Sequence, residues 1–79
     1  MNWDTIKGNW KQFRGKVKEQ WGHLTDDELD IIDGRRDVLI GKVQEAYGIS
    51  KDQAEKQVKE FESHNWESEE YSQKARRTR

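Results

Sequence analysis

Four cations, Lys7, Lys11, Arg14 and Lys18, recur at steps of four, three and four, a spacing that lines them along one side of a helix. Such a row can track phosphates, each neutralised charge releasing a counterion. The arginines Arg76, Arg77 and Arg79 near the carboxyl end extend this candidate nucleic-acid-binding surface. An acidic run stands opposite: Asp26, Asp27, Glu28, Asp30 and Asp33, with no cation from residue 25 to 33. A divalent cation would need oxygen ligands on a sharply turning loop, and here glycine is not placed for a calcium loop and the carboxylates fall on a helix. The imidazoles are His23 and His64, and neither belongs to a His-Glu-x-x-His spacing that would hold a metal. The absence of cysteine removes thiolate ligands, thiol nucleophiles and disulfides. No serine or threonine has a recognisable nucleophile setting, and no glycine-rich phosphate loop follows a strand. The expectation is a non-enzyme with no catalytic residue, no metal and no cofactor. Against the phosphate-tracking reading stands a simpler one, in which the basic helix packs beside the acidic one, each exposed pair contributing about 0 to 1 kcal/mol.

The elements that must carry these groups are helical. Trp3, Ile6, Trp10, Phe13, Val17, Trp21 and Leu24 recur at spacings of three and four, which predicts one long amphipathic helix. Gly22 is placed to stop it as a left-handed residue, and Thr25 with Glu28 forms a capping box for a short second helix whose apolar side is Leu29, Ile31 and Ile32. Gly34 marks its end or a sharp bend. Leu39, Ile40, Val43, Ala46 and Tyr47 predict the inward face of a third helix closed by Gly48, and Ser50 with Gln53 opens a fourth carrying Ala54, Val58 and Phe61. This helix should fade after about residue 62, near the last member of its stripe.

Two of these segments repeat one text. Gly15-Lys16-Val17-Lys18-Glu19-Gln20-Trp21-Gly22 returns as Gly41-Lys42-Val43-Gln44-Glu45-Ala46-Tyr47-Gly48, and Gly8 matches Gly34 at the same offset. A duplicated αα-hairpin follows, and with connections of two or three residues the expected fold is all-α, a four-helix bundle over residues 1–62. Residues 63–79 lack a sustained apolar period and end in Lys74-Ala75-Arg76-Arg77-Thr78-Arg79, which predicts a flexible charged tail, with Trp66 able to fold back on the core. Gly15 and Gly41 fall inside helices, where each costs about 1 kcal/mol relative to alanine. A close crossing of the two long helices at these positions would offset that cost.

Composition bounds the rest. The chain has 79 residues, 30% apolar and 39% charged, with a formal net charge of −1. There is room for one small core. The longest aliphatic run, Val38-Leu39-Ile40, is far short of the roughly 20 residues of a membrane helix, and the amino terminus lacks a signal-peptide core. The expectation is a cytoplasmic monomer with no membrane insertion and no partner specified by the sequence.

The pattern Gly8-Asn9-Trp10-Lys11-Gln12-Phe13-Arg14-Gly15-Lys16-Val17-Lys18-Glu19-Gln20-Trp21-Gly22, then Leu24-Thr25-Asp26-Asp27, resembles the CsbD-like family of small bacterial proteins. The likeness continues through Gly34-Arg35-Arg36-Asp37, Gly41 to Glu45, Tyr47-Gly48 and Lys51 to Lys56. The resemblance implies a compact helical domain and a role in the bacterial general stress response, and it carries over no catalytic or binding residue. Protection of other macromolecules by a charged, hydrated surface is the mechanism expected from the composition. Nucleic-acid binding and a protein-partner adaptor are the alternatives.

Overall fold

A computed structural model describes residues 2–64. Five helices occupy them: α1 (Trp3–Gly8), α2 (Trp10–Gln20), α3 (Asp26–Ile32), α4 (Arg36–Tyr47) and α5 (Lys51–Ser63). The described residues are therefore all-α. The tail from residue 65, with Trp66, Arg76, Arg77 and Arg79, lies outside them.

The long first helix of the sequence reading is broken in two. Asn2 caps α1, its side-chain oxygen accepting from the Thr5 N–H and hydroxyl at 3.1 Å each. The chain leaves helical geometry at Asn9, with φ −120° and ψ 37°. Glycine and asparagine are weak helix formers, and asparagine offers its amide to nearby backbone in competition with the helix ladder. Here Asn9 Nδ2 donates to the Thr5 carbonyl at 3.0 Å, while its backbone N–H reaches Thr5 O and Ile6 O. The bend lets Trp3 Nε1 donate to the Gly34 carbonyl at 2.7 Å, 31 residues away.

The helix ends differ from one another. Gly22 is not left-handed, contrary to expectation; among the described residues positive φ occurs at Asp33 (44°), Gly34 (80°) and Gly48 (61°). After α2 the turn is closed instead by the Leu24 N–H to Trp21 O at 3.1 Å, and the Lys18 ammonium donates to Leu24 O. The Thr25–Glu28 capping box forms at the start of α3. At its other end the Arg35 side chain donates to Ile31 O and Ile32 O. Gly48 closes α4 as a left-handed cap, the role its position suggests, and Ser50 caps α5 by accepting from Gln53 N–H at 3.2 Å.

α4 packs along α5 and contacts α3, while α1 contacts α2. The core is Ile6, Phe13, Val17, Trp21, Leu24, Leu29, Ile32, Leu39, Ile40, Val43, Ala54, Val58 and Phe61, with no polar or charged side chain buried among the described residues. Two expected core members sit at the rim: Ile31 is 50% and Tyr47 36% exposed. At about 100° per residue Ile31 falls on nearly the opposite side of α3 from Leu29, so it is the one turned outward.

Gly15 and Gly41 do not mark a crossing. Gly15 is exposed and Gly41 half-buried, and a Cβ added at either meets nothing within 4 Å. The close approach lies at Gly34, where an added Cβ would stand 3.3 Å from both Cα and Cγ of Lys7. The helix that comes near a glycine backbone is therefore α1, at the α3–α4 turn.

Candidate functional site

The basic row of the first segment is divided by the bend at Asn9. Lys7 is carried by α1, and Lys11, Arg14 and Lys18 by α2. Lys7 and Lys11 are exposed, with Lys7 lying over Gly34. Arg14 turns toward α3, where its Nη2 donates to Asp26 O at 3.1 Å and pairs with Asp30 Oδ1 at 3.0 Å. Its Nε is buried without a hydrogen-bond partner. Lys18 closes the α2–α3 loop through Leu24 O. Two of the four cations thus tie α2 to the loop and helix that follow it, one of them through an acidic side chain.

The acidic run has local roles of its own. Asp26, Asp27 and Glu28 occupy the first turn of α3, where negative charge meets the positive end of the helix dipole. Glu28 Oε1 accepts from the Thr25 N–H at 3.0 Å while its own N–H donates to Thr25 Oγ1 at 3.1 Å. The Thr25 backbone hydrogen bond, foremost, holds the half-buried Glu28 carboxyl below its ordinary pKa. Among the described residues no group of three or more His, Cys, Asp or Glu side chains is arranged to hold a metal ion.

His23 and His64 are both exposed. The His23 backbone N–H donates to the Tyr47 hydroxyl at 3.2 Å, and its ring meets the Tyr47 ring edge-on with centroids 4.7 Å apart. The imidazole therefore packs at the junction of the α2–α3 loop with the end of α4. An open groove of about 510 Å³ runs beside α4 and α5, with Ile40, Gly41, Gln44 and Glu55 in its lining.

Several polar contacts that hold the fold gave no local signal in the sequence. Trp21 Nε1 donates to Gln57 Oε1 at 2.9 Å, and its ring tilts against Phe61 at a centroid distance of 5.3 Å. Arg36 Nε meets Glu62 Oε1 at 2.5 Å, joining the start of α4 to the end of α5. Each pairs residues far apart in sequence, whose proximity depends on the packing of whole helices.

These features define a small protein whose described residues are all-α, with several polar side chains serving as caps and ties between helices. No helix among the described residues is long and apolar enough to cross a membrane. The chain belongs to the CsbD-like family, whose model matches residues 4–56. It is similar to the UPF0337 protein YjbJ of Escherichia coli K12, with 65% identity over 65 residues, covering 82% of this chain and 94% of that protein. The YjbJ protein of Salmonella typhimurium is 62% identical over 65 residues, covering 82% of this chain and 93% of its own length. The UPF0337 protein NE2439 of Nitrosomonas europaea is 52% identical over 61 residues, covering 77% of this chain and 65% of its own.

Proposed function

We propose that this chain is a non-enzymatic protein of bacterial stress adaptation, acting in the cytoplasm, that protects other macromolecules through a charged, strongly hydrated surface. The observation that carries this reading is segregation: the buried side chains of the described residues are all apolar, while 39% of the chain is charged. Ion pairs such as Arg14–Asp30 and Lys51–Glu55 stay partly in water, so the surface keeps its hydration while the core remains closed. In this reading the domain is a four-helix bundle of two duplicated hairpins, with α1 and α2 together forming one bent arm, followed by a charged tail over residues 63–79. A labile enzyme dried or heated with the purified protein should retain more activity than with an equal mass of an inert globular protein. Equal retention would sink the reading.

Phosphate binding is the second reading. It would rest on Lys7 and Lys11 with the tail residues Arg76, Arg77 and Arg79, because Arg14 and Lys18 would have to release Asp26, Asp30 and Leu24 to take part. An NMR titration with duplex and single-stranded nucleic acid at about 150 mM salt, where phosphate contacts weaken, separates the two. Saturable shifts at Lys7, Lys11 and the tail arginines would put phosphate binding first, and unchanged spectra would leave protection ahead.

A further inference from the structure

The bend at Asn9 interrupts a pattern that does not itself bend. Taken at 3.6 residues per turn, Trp3, Ile6, Trp10, Phe13, Val17 and Trp21 fall within an arc of about 80°. The apolar stripe thus runs straight through Gly8 and Asn9, as it would in one unbroken helix. The observed fold breaks that helix and gains three contacts from α1: Trp3 Nε1 on Gly34 O, Ile6 fully buried in the core, and Lys7 lying over Gly34. The sequence therefore supports two conformations of the same segment, a bent one and a straight one.

In the straight form α1 would project from its own body, exposing Ile6 and leaving its place beside the α3–α4 turn empty. That loss is made good if α1 of another molecule fills the place with the same three contacts. We propose that this chain exchanges α1 with a second copy of itself, giving a two-fold swapped dimer in which Trp3 to Gln20 form one helix and Trp3 of each copy donates to Gly34 O of the other. The three contacts of α1 with Gly34 and the core are recovered, and the straight segment regains the helical geometry that Asn9 interrupts. Such an exchange closes on itself and does not propagate into a filament. It goes beyond the protective reading and does not depend on it.

The full chain tests this in two ways. Gly8→Ala with Asn9→Ala replaces two weak helix formers, and a Cβ at Gly8 meets nothing within 4 Å. Sedimentation should show dimer association strengthened by about tenfold or more in this variant, since both hinges of the dimer gain helix propensity. Association no stronger than in the unaltered chain would overturn the proposal. Because the chain has no cysteine, a nitroxide can be placed at Asp4→Cys alone. Molecules carrying it, without isotope label, are refolded at high concentration with isotope-labelled unaltered chain. Broadening of the Gly34 and Arg35 amides in the labelled copies is expected. A chain that stays monomeric at about 1 mM, or a dimer whose broadening falls on another surface, would overturn the exchange even if the double variant failed to fold.

Discussion

The two copies of the repeated segment make the same helix and end it by different means. In the second copy Gly48 turns left-handed and Ile49 N–H returns to Gln44 O at 3.3 Å, so the stop is built from backbone alone. In the first copy Gly22 keeps an ordinary φ and the turn is held by Lys18 reaching Leu24 O, with Arg14 anchoring the helix that follows. The aromatic residues that precede these glycines diverge as well. Trp21 is 1% exposed and Tyr47 36%. Each nevertheless crosses to the other half of the molecule: Trp21 bonds Gln57 and packs on Phe61 in α5, and the Tyr47 hydroxyl accepts from the His23 backbone. The duplicated text specifies helices, and the residues that differ between copies join the two halves into one core.

The largest test of this asymmetry is a pair of truncations. Trp21→Ala should destabilise the fold by about 3–5 kcal/mol, as expected for emptying a large aromatic site in a close-packed core. Tyr47→Ala, at the rim, should remove about 1 kcal/mol, the net value of a partly exposed hydrogen bond and ring contact. Urea unfolding of the two variants compares them directly. Equal losses would mean that the equivalent aromatics do equivalent work.

The glycines give the next largest effects, with opposite signs. Gly34→Ala should cost at least about 1 kcal/mol, because φ is +80° and the new Cβ meets the Lys7 backbone. Gly15→Ala and Gly41→Ala should each stabilise by about 0.5–1 kcal/mol, since both lie in helices with open space where a methyl group would go. Thermal melts of the three variants should therefore fall on both sides of the unaltered chain. A destabilising effect at Gly15 would restore the close crossing that the geometry removes.

Much of this fold is legible in the sequence. Apolar spacing identifies Ile6, Phe13, Val17, Leu29, Val43 and Val58 as core, and the cap signatures at Thr25–Glu28 and Ser50–Gln53 stand where the helices begin. Those signals are local, written within one or two turns of helix. The break at Asn9 was not legible, because the apolar period continues across it and what favours the bend, Trp3 on Gly34, lies 31 residues away. The glycines at 15 and 41 misled for a related reason. Their spacing places them on a helix face, and spacing alone does not say whether another helix faces them. Of the candidate phosphate row, the positions of Lys7, Lys11, Arg14 and Lys18 were readable, whereas the commitment of Arg14 and Lys18 to α3 and its loop depends on how α2 packs.

A smaller effect comes from the tie that only the first copy has. Arg14→Met keeps most of the aliphatic stem that packs on the helix and removes the bonds to Asp26 and Asp30. It should cost about 1 kcal/mol, since the pair is partly exposed, at 35% and 70%, and pairs of that kind contribute little. The loss should shrink as salt is added, which chemical denaturation by urea at low and high sodium chloride would register. A loss independent of salt would assign the effect to packing of the stem.

The smallest difference between the halves lies in their caps and appears only in acid. Thr25 and Ser50 each accept a hydrogen bond from the backbone N–H three residues on, so Thr25→Ala and Ser50→Ala should have similar costs at neutral pH, about 1 kcal/mol. Glu28 completes the first cap as a carboxylate, whereas Gln53 occupies the matching place in the second and does not titrate. The pKa of Glu28 is lowered from 4.5 in the fold, with the Thr25 backbone N–H as its foremost cause. A carboxyl whose folded pKa is depressed contributes stability that is present above its unfolded pKa and is lost as pH falls through the folded value. The stability difference between the unaltered chain and Glu28→Gln should therefore hold steady at neutral pH, begin to shrink near 4.5 and level off below the folded pKa of Glu28. Gln53→Glu should install the same acid dependence in the second copy if its carboxylate reaches the Ser50 N–H. A Glu28→Gln difference that stayed constant down to the acid limit would show that the Glu28 carboxyl has the same pKa folded and unfolded, and the two caps would then not differ in their response to acid.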